Sequence, residues 1–183
     1  MNRKWSFENL ALADKAEWES ILVTGHPPAI DELDGYTYCG WNPDPIGKLT
    51  GQKFKKCFFS TKDGLYGFNK KVKQDAVKAG GAWNDVLYKG RAKTMGYFKV
   101  SYAGDAPSQE VHHRYRHLVV FNYNLPLNQG LSGFLKVIRD FMVLPNPGDN
   151  SLLLGKAYLH LPGNLDVFAC YFLLGYPHKT SHS

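Results

Sequence analysis

Histidines 112, 113 and 117 are close enough in the sequence to raise the question of a metal site. His113 and His117 have the spacing of paired zinc ligands on a helix. The neighbouring residues alternate as in a strand, however, where four residues at about 3.3 Å each separate the two Cα atoms by about 13 Å. No cysteine or carboxylate pair accompanies them. We therefore expect no metal and no cofactor.

His117 alone offers acid–base chemistry, because on a strand it shares one face with Tyr115 and Phe121. Together with Tyr115, and with Asp166 as a further acid or base, it would suit a small isomerase, cyclase or dehydratase. A wall histidine bonded to backbone fits the same pattern. Both interpretations stay open.

The three cysteines, Cys39, Cys57 and Cys170, are too widely spaced for a disulfide framework or a CxxC pair. Lysines flank Cys57, and their charge favours the reactive thiolate. On an alternating strand, however, Cys57 faces away from Lys56, so we interpret it as a core residue. Cysteine usage of this kind is typical of a reducing compartment, and we expect a cytoplasmic location.

A nucleic-acid partner is one hypothesis, because the net charge is +6 and lysines crowd one predicted hairpin. These lysines are Lys53, Lys55, Lys56, Lys62, Lys70, Lys71, Lys73 and Lys78. Aromatic residues lie among them, namely Phe54, Phe58, Tyr66 and Phe68. Single-strand binders stack bases on such rings in a basic groove. Lysines on exposed strands also serve to prevent edge pairing, which is the alternative.

The residues expected to point inward are mostly apolar and aromatic, which suits a cavity for a flat or lipid-like molecule. The predicted ligand-binding residues are Phe98, Tyr102, Tyr115, His117, Phe121, Phe168 and Phe172. Non-enzymatic binding of a hydrophobic or aromatic small molecule is therefore the leading functional hypothesis. A fully packed core would give the same composition.

Two-residue alternation predicts the strands that would carry these side chains. Residues 53–59 and 65–72 form a predicted hairpin, with Phe54, Lys56 and Phe58 on one face. Residues 93–102 and 114–123 continue the pattern. The segments 152–161 and 165–174 are apolar on both faces, so we expect both faces of each strand to be covered by other parts of the protein.

Two helices are predicted. Residues 6–22 begin at Ser6, a good N-cap residue, and carry one apolar stripe. Residues 128–143 place apolar side chains at helical spacing, and we expect this helix to cover the barrel wall.

Length and composition restrict the class of protein. With 183 residues, 44% hydrophobic and 21% charged, the chain is typical of one globular domain, 1–183, with flexible ends at 1–5 and 178–183. No apolar run approaches the roughly 20 residues of a membrane span, and acidic residues replace the apolar stretch of a signal peptide. An aromatic share of 14% favours strands. We predict a mainly β fold, an antiparallel β-barrel with helical covers, because closure removes exposed edges.

Several segments resemble the calycin superfamily of lipocalin-like barrels, in particular small bacterial families with Gly-x-Trp-x-Gly in the first strand. The similarity rests on residues 33–41, which include Gly35, Gly40 and Trp41, on residues 51–56, and on the end of the chain at 154–174. Here Trp41 directly follows Gly40. The resemblance implies binding of an apolar small molecule in the barrel, with Trp41 at its closed end.

Overall fold

A computed structural model describes residues 4–44, 47, 51–74, 81–106 and 113–179. Its strands, numbered in chain order, are β1 (Tyr36–Trp41), β2 (Lys53–Thr61), β3 (Gly64–Lys71), β4 (Leu87–Tyr88), β5 (Arg91–Ala92), β6 (Thr94–Tyr102), β7 (Val119–Asn122), β8 (Ile138–Val143), β9 (Leu153–Leu161) and β10 (Leu165–Lys179). Strands β4 and β5 form a small separate hairpin. The other eight close into an antiparallel barrel in the order β1-β10-β9-β8-β7-β6-β3-β2. The predicted mainly β barrel is confirmed.

Side chains on the two faces of the wall form two hydrophobic clusters. The inner cluster fills the lumen and includes Phe58, Phe98 and Phe121, whose ring centroids lie 4.9 to 5.7 Å apart. The outer cluster joins the wall to the N-terminal helices and includes Trp18 and Phe141. Strands β8, β9 and β10 contribute to both clusters, which explains why their sequences are apolar at almost every position.

The N-terminal helical segment is two helices, α1 (Phe7–Ala11) and α2 (Lys15–Thr24), rather than one. Ser6 caps α1 as expected, because its side chain accepts a hydrogen bond from the Asn9 amide. A second capping box at Asp14, whose carboxylate accepts from the Glu17 amide at 2.8 Å, starts α2 and separates the helices. Helix α2 packs on β8 and β9, and α1 on β10.

The prediction of one helix over residues 128–143 is correct only in its first half. A 3-10 helix spans Gly130–Val137, and the chain then enters the barrel as β8. In β8, Phe141 and Val143 belong to the outer cluster and Met142 to the inner one. A strand buried on both faces resembles a helix in its apolar spacing, so periodicity alone does not separate them. Helices α1 and α2 provide the cover that we assigned to this segment.

The predicted strand over 114–123 is also shorter than expected. A 3-10 turn occupies His113–Tyr115, and β7 begins only at Val119. Tyr115 and His117 therefore do not share the face of Phe121. Instead Tyr115 packs on the outer wall, with its ring centroid 5.4 Å from that of Phe141.

Two further expectations concern Trp41 and the chain ends. Trp41 belongs to the outer cluster and not to a lumen plug, whereas Leu33 and Tyr38 are buried in the inner cluster. Of the ends predicted to be flexible, residues 1–3 and 180–183 lie outside the described residues. His178 pairs with β1.

Candidate ligand-binding site in the barrel lumen

An ion pair crosses the lumen from wall to wall. Lys56 lies on β2 and Asp140 on β8, and three strands separate β2 from β8 in either direction around the barrel. The Lys56 Nζ is nevertheless 3.0 Å from the Asp140 Oδ2, and the two side chains are only 3% and 5% exposed. An eight-stranded barrel is narrow enough for opposite side chains to meet. The lumen is therefore bridged by charge at this level.

Hydrogen bonds satisfy the buried ammonium. Lys56 Nζ donates to Asp140 Oδ2 at 3.0 Å, to Asn69 Oδ1 at 3.1 Å and to the phenolic oxygen of Tyr123. An ammonium group has three N–H donors, so these acceptors use all of them. The phenol of Tyr123 in turn donates to Asp140 Oδ2 at 3.0 Å. Both of these bonds to the Asp140 carboxylate fall on Oδ2.

The phenol of Tyr123 is held in its neutral form. Burial raises the pKa of Tyr123 well above its ordinary value, and the negative charge of Asp140 raises it further. The hydroxyl group therefore keeps its proton and remains a hydrogen-bond donor at neutral pH.

Aromatic rings surround the Lys56 ammonium. Its Nζ lies 4.9 Å from the ring centroid of Phe98, 5.1 Å from Tyr123 and 5.2 Å from Phe172. The rings of Phe54 and Phe121 lie 5.5 and 5.6 Å away. Each ring presents a negative π face to a cation within about 6 Å, and the attraction grows as water is excluded. The lumen thus favours a positive charge at this point.

Glycines on neighbouring strands make room for three of these rings. Phe54 lies against Gly40, Phe98 against Gly67 and Phe172 against Gly155, so that a Cβ at each glycine would collide with the ring. A ring that covers a cross-strand glycine lies flat against the wall. The centre of the lumen is thereby left to the Lys56 ammonium.

A β-bulge positions Asn69. The register between β3 and β6 shifts between Gly67 and Asn69, and bulges commonly re-aim a side chain next to a functional site. The Asn69 Nδ2 donates to the carbonyl oxygen of Gly96 at 3.2 Å. Gly96 has a positive φ of 60°, and a Cβ there would lie 2.8 Å from Asn69 Nδ2. The bulge and Gly96 together place the amide beside Lys56.

The charged network lies at the end of the barrel where β2 and β8 begin and β3 and β7 end. Partly exposed apolar residues line this end, namely Phe54, Met95, Ile138, Ala169 and Cys170. Burial raises the pKa of the Cys170 thiol to about 12, and the charges of Asp140 and Asp44 act in the same direction. Cys170 is therefore a neutral lumen residue rather than a reactive thiolate.

A second buried lysine, Lys156, lies on the outside of the wall. Its Nζ is 2.6 Å from Glu19 Oε2 on α2 and 2.8 Å from the hydroxyl of Tyr115, and Tyr171 also donates to Glu19, at 3.0 Å. Burial alone would raise the pKa of Glu19, but the hydrogen bonds from Lys156, Tyr115 and Tyr171 outweigh it and lower that pKa. This network fastens α2 to the barrel wall.

The predicted ligand-binding residues are divided between the two faces of the wall. Phe98, Phe121 and Phe172 are buried in the lumen. Tyr102 is the last residue of β6 and is 40% exposed. Phe168 is also 40% exposed, because a register shift between Phe168 and Cys170 turns it outward. For Phe168 the expectation that it points inward is wrong. Tyr102 lies opposite Val119 of the inner cluster, so it keeps the inner face and is exposed because it lies at the end of the barrel.

Tyr115 and His117 do not form an acid–base pair in the lumen. The Tyr115 hydroxyl donates to Glu19 at 2.6 Å in the outer network. His117 is exposed, and its Nε2 lies 3.1 Å from the carbonyl oxygen of Leu22. Asp166 pairs with His160 at 2.8 Å on the β9–β10 hairpin. The 3-10 turn before β7 keeps Tyr115 and His117 out of the lumen.

The lysines of the nucleic-acid hypothesis are likewise divided. Lys53 and Lys56 are buried, and Lys55 pairs with Asp85 at 2.7 Å. Phe58 fills the lumen, whereas Phe68 lies outside with its ring centroid 5.8 Å from that of Tyr97. Further cationic side chains line an open surface groove of about 660 Å³ beside the small β4–β5 hairpin. Lys78 lies outside the described residues. Nucleic-acid binding stays a prediction.

Sequence reasoning missed Lys56, Asn69, Tyr123 and Asp140 as one site. The available signal was a lysine in phase with Phe54 and Phe58, which breaks an otherwise apolar face. The charged pair Arg139 and Asp140, in the otherwise apolar segment 138–143, is a second signal of this kind.

Within the described parts of the chain, no three His, Cys, Asp or Glu side chains form a group that could hold a metal ion. Of the helices described, none is long and apolar enough to span a membrane. Comparison with known proteins finds no matching family model, no matching curated protein and no matching solved structure.

Proposed function

We propose that this protein binds a small aromatic or otherwise apolar molecule at the end of the barrel that holds Lys56, in the manner of lipocalin-like barrels. The observation that carries the proposal is the Lys56–Asp140 ion pair inside a cage of aromatic rings, next to a rim of partly exposed apolar side chains. Concave apolar sites with few convergent polar groups are typical of small-molecule binding.

The position of the ion pair limits where such a molecule would lie. Because Lys56 and Asp140 meet across the lumen and close it at this level, we place the ligand against the rim residues Phe54, Met95 and Ile138. Phe98, Phe121 and Phe172, predicted from the sequence, surround Lys56 at the inner end of this site. The ligand is accordingly short rather than a long lipid chain.

The polar groups indicate the chemistry of the ligand. The Lys56–Asp140 pair is neutral as a whole, so a net charge on the ligand gains little from it. The Asp140 carboxylate is a hydrogen-bond acceptor, and a hydroxyl, amine or amide N–H on the ligand is the matching donor. We therefore expect an aromatic body that carries one small polar group.

Retention of charge in the lumen supports this proposal. A buried ion pair is often no more stable than apolar side chains of the same volume. The face of β2 that carries Phe54 and Phe58 would pack the lumen more simply with a third apolar residue. Departures from a local rule are concentrated at functional sites.

Native mass spectrometry of the purified protein tests the proposal, combined with titration of the aromatic probe 1-anilinonaphthalene-8-sulfonate. We expect a co-purifying small molecule or saturable probe binding. Ile138→Phe narrows the rim and should weaken probe binding by about ten-fold, the loss of roughly 1.4 kcal/mol. Leu165→Phe adds similar bulk at a position 57% exposed and should leave binding unchanged. Absence of both ligand and probe binding in the wild-type protein would overturn the proposal.

A further inference from the structure

We infer that the Lys56 amine reacts with the ligand, and that the ligand class is an aromatic aldehyde or ketone, which Lys56 captures as a Schiff base. The inference rests on the proposed function, since the carbonyl compound must first enter the lumen. It adds a covalent step that binding alone does not require.

The first argument is the placement of the amine. The Lys56 side chain is only 3% exposed. Its Nζ lies 4.9 to 5.6 Å from five ring centroids and donates hydrogen bonds to three acceptors. A lysine amine is the nucleophile of Schiff-base chemistry, and the Asp140 carboxylate 3.0 Å away is placed to accept its proton. The same rings that surround the ammonium would contact the flat body of an aromatic carbonyl compound. Reactive nitrogen and substrate surface are thus brought together in one place.

The second argument is the partner that receives the proton. In the first step a proton moves from Lys56 Nζ to Asp140 Oδ2, across 3.0 Å, leaving a neutral amine and a carboxylic acid. The amine lone pair then forms the N–C bond, and the π electrons of the carbonyl move to its oxygen.

The remaining steps return every proton. Asp140 gives a proton to the carbonyl oxygen and takes one from nitrogen, which yields a carbinolamine. Asp140 then protonates the hydroxyl group, which leaves as water while the nitrogen lone pair forms the C=N bond. The products are a protonated imine, an ionised Asp140 and one water, and no redox change occurs. A cation again stands in the aromatic cage, so the site stabilises reactant and product charge alike.

Tyr123 and Asn69 have positioning roles in this scheme. The neutral phenol of Tyr123 is a donor beside Lys56, and it can turn from Asp140 Oδ2 to the developing oxygen anion. Asn69 Nδ2 lies 3.3 Å from the Tyr123 hydroxyl and holds that hydroxyl in place.

Lys156 provides an internal comparison for Lys56. It is also buried, lies within 5.1 to 5.4 Å of four ring centroids and pairs with a carboxylate. It differs in lying on the outer wall under α2, away from the lumen. If burial and rings alone made a lysine reactive, both would react.

The test uses 6-methoxy-2-naphthaldehyde with sodium borohydride, which reduces an imine to a stable secondary amine, followed by peptide mapping. We expect one adduct, at Lys56, formed at least about ten-fold faster than at the exposed Lys99, because binding places the carbonyl beside the amine. Lys56→Met should lose this adduct while near-ultraviolet circular dichroism reports an intact fold. Asp140→Asn, which keeps the amine, should slow it. Lys156→Arg should retain it.

Other distributions of label overturn the inference. Equal labelling of exposed lysines, or a preferred adduct at Lys156, shows that Lys56 is not the selected nucleophile. The probe 2-methoxynaphthalene, which lacks the aldehyde, separates the two proposals. If it binds and the aldehyde forms no Lys56 adduct, the covalent step is refuted and the binding function stands. If neither compound binds, both proposals fail.

Discussion

Replacing Lys56 by methionine tests how the charged network contributes to stability. The apolar stem and much of the volume remain, but the ammonium is lost, and the Asp140 carboxylate is left inside a barrel where its side chain is only 5% exposed. Removing one partner of a buried ion pair costs about 3 to 5 kcal/mol, because an uncompensated charge remains. We expect the free energy of unfolding to fall by an amount in this range at pH 7.

Urea denaturation of both proteins at pH 7 measures this difference. The double variant Lys56→Met/Asp140→Leu removes both charges, and we expect it to regain most of the lost stability. Tyr123 and Asn69 can still bond to each other through the existing 3.3 Å contact. A Lys56→Met protein as stable as wild type at pH 7 would refute a lumen-spanning ion pair.

Three further predictions follow from the packing and titration of the wall. Gly155→Val should lower the free energy of unfolding by about 2 kcal/mol, because the valine side chain collides with the Phe172 ring. The control Gly133→Ala meets no neighbour within 4 Å and should change the free energy of unfolding by less than about 0.5 kcal/mol. Urea denaturation measures both. Glu19→Gln should weaken the attachment of α2 and lower the free energy of unfolding. Because the pKa of Glu19 is lowered, the extra stability of the wild-type protein is present at neutral pH and is lost as the pH falls through that pKa. Equal urea midpoints of the two proteins at pH 7 would contradict this prediction. Because burial raises the pKa of Cys39 to about 11 and that of Cys170 to about 12, the folded protein should react with Ellman's reagent at pH 8 far more slowly than the urea-unfolded chain, and fast labelling of the folded protein would contradict this burial.

The barrel was predictable because its signals are local. Alternation over β2 and β3 and the turn at 162–164 depend on residues next to one another in the sequence. The strand β8 was taken for helix because it is covered on both faces, so its apolar residues do not alternate. The inward direction of Phe168 failed for a different reason, since one extra residue at a bulge reverses the face of every side chain before it.

The candidate site was not predictable from these local signals. Lys56 meets Asp140 across 84 positions of sequence and Tyr123 across 67. Which face of β2 points inward depends on the closure of all eight strands, and the lysine content of that segment favoured the surface. The one local sign was that Lys56 shares a face with Phe54 and Phe58. Such a lysine is either at the surface with exposed phenylalanines or in the lumen with a partner, and the sequence does not name the partner.

The glycines link the barrel architecture to the proposed chemistry. Without Gly67 and Gly155, the rings of Phe98 and Phe172 would have to leave the wall and move toward the barrel axis. A lumen filled by rings at its axis would have no place for an ammonium, and Asp140 would then be a buried charge without its cation. The small residues therefore do more than permit close packing. They keep the rings of Phe98 and Phe172 against the wall, where both lie within 5.2 Å of the Lys56 ammonium.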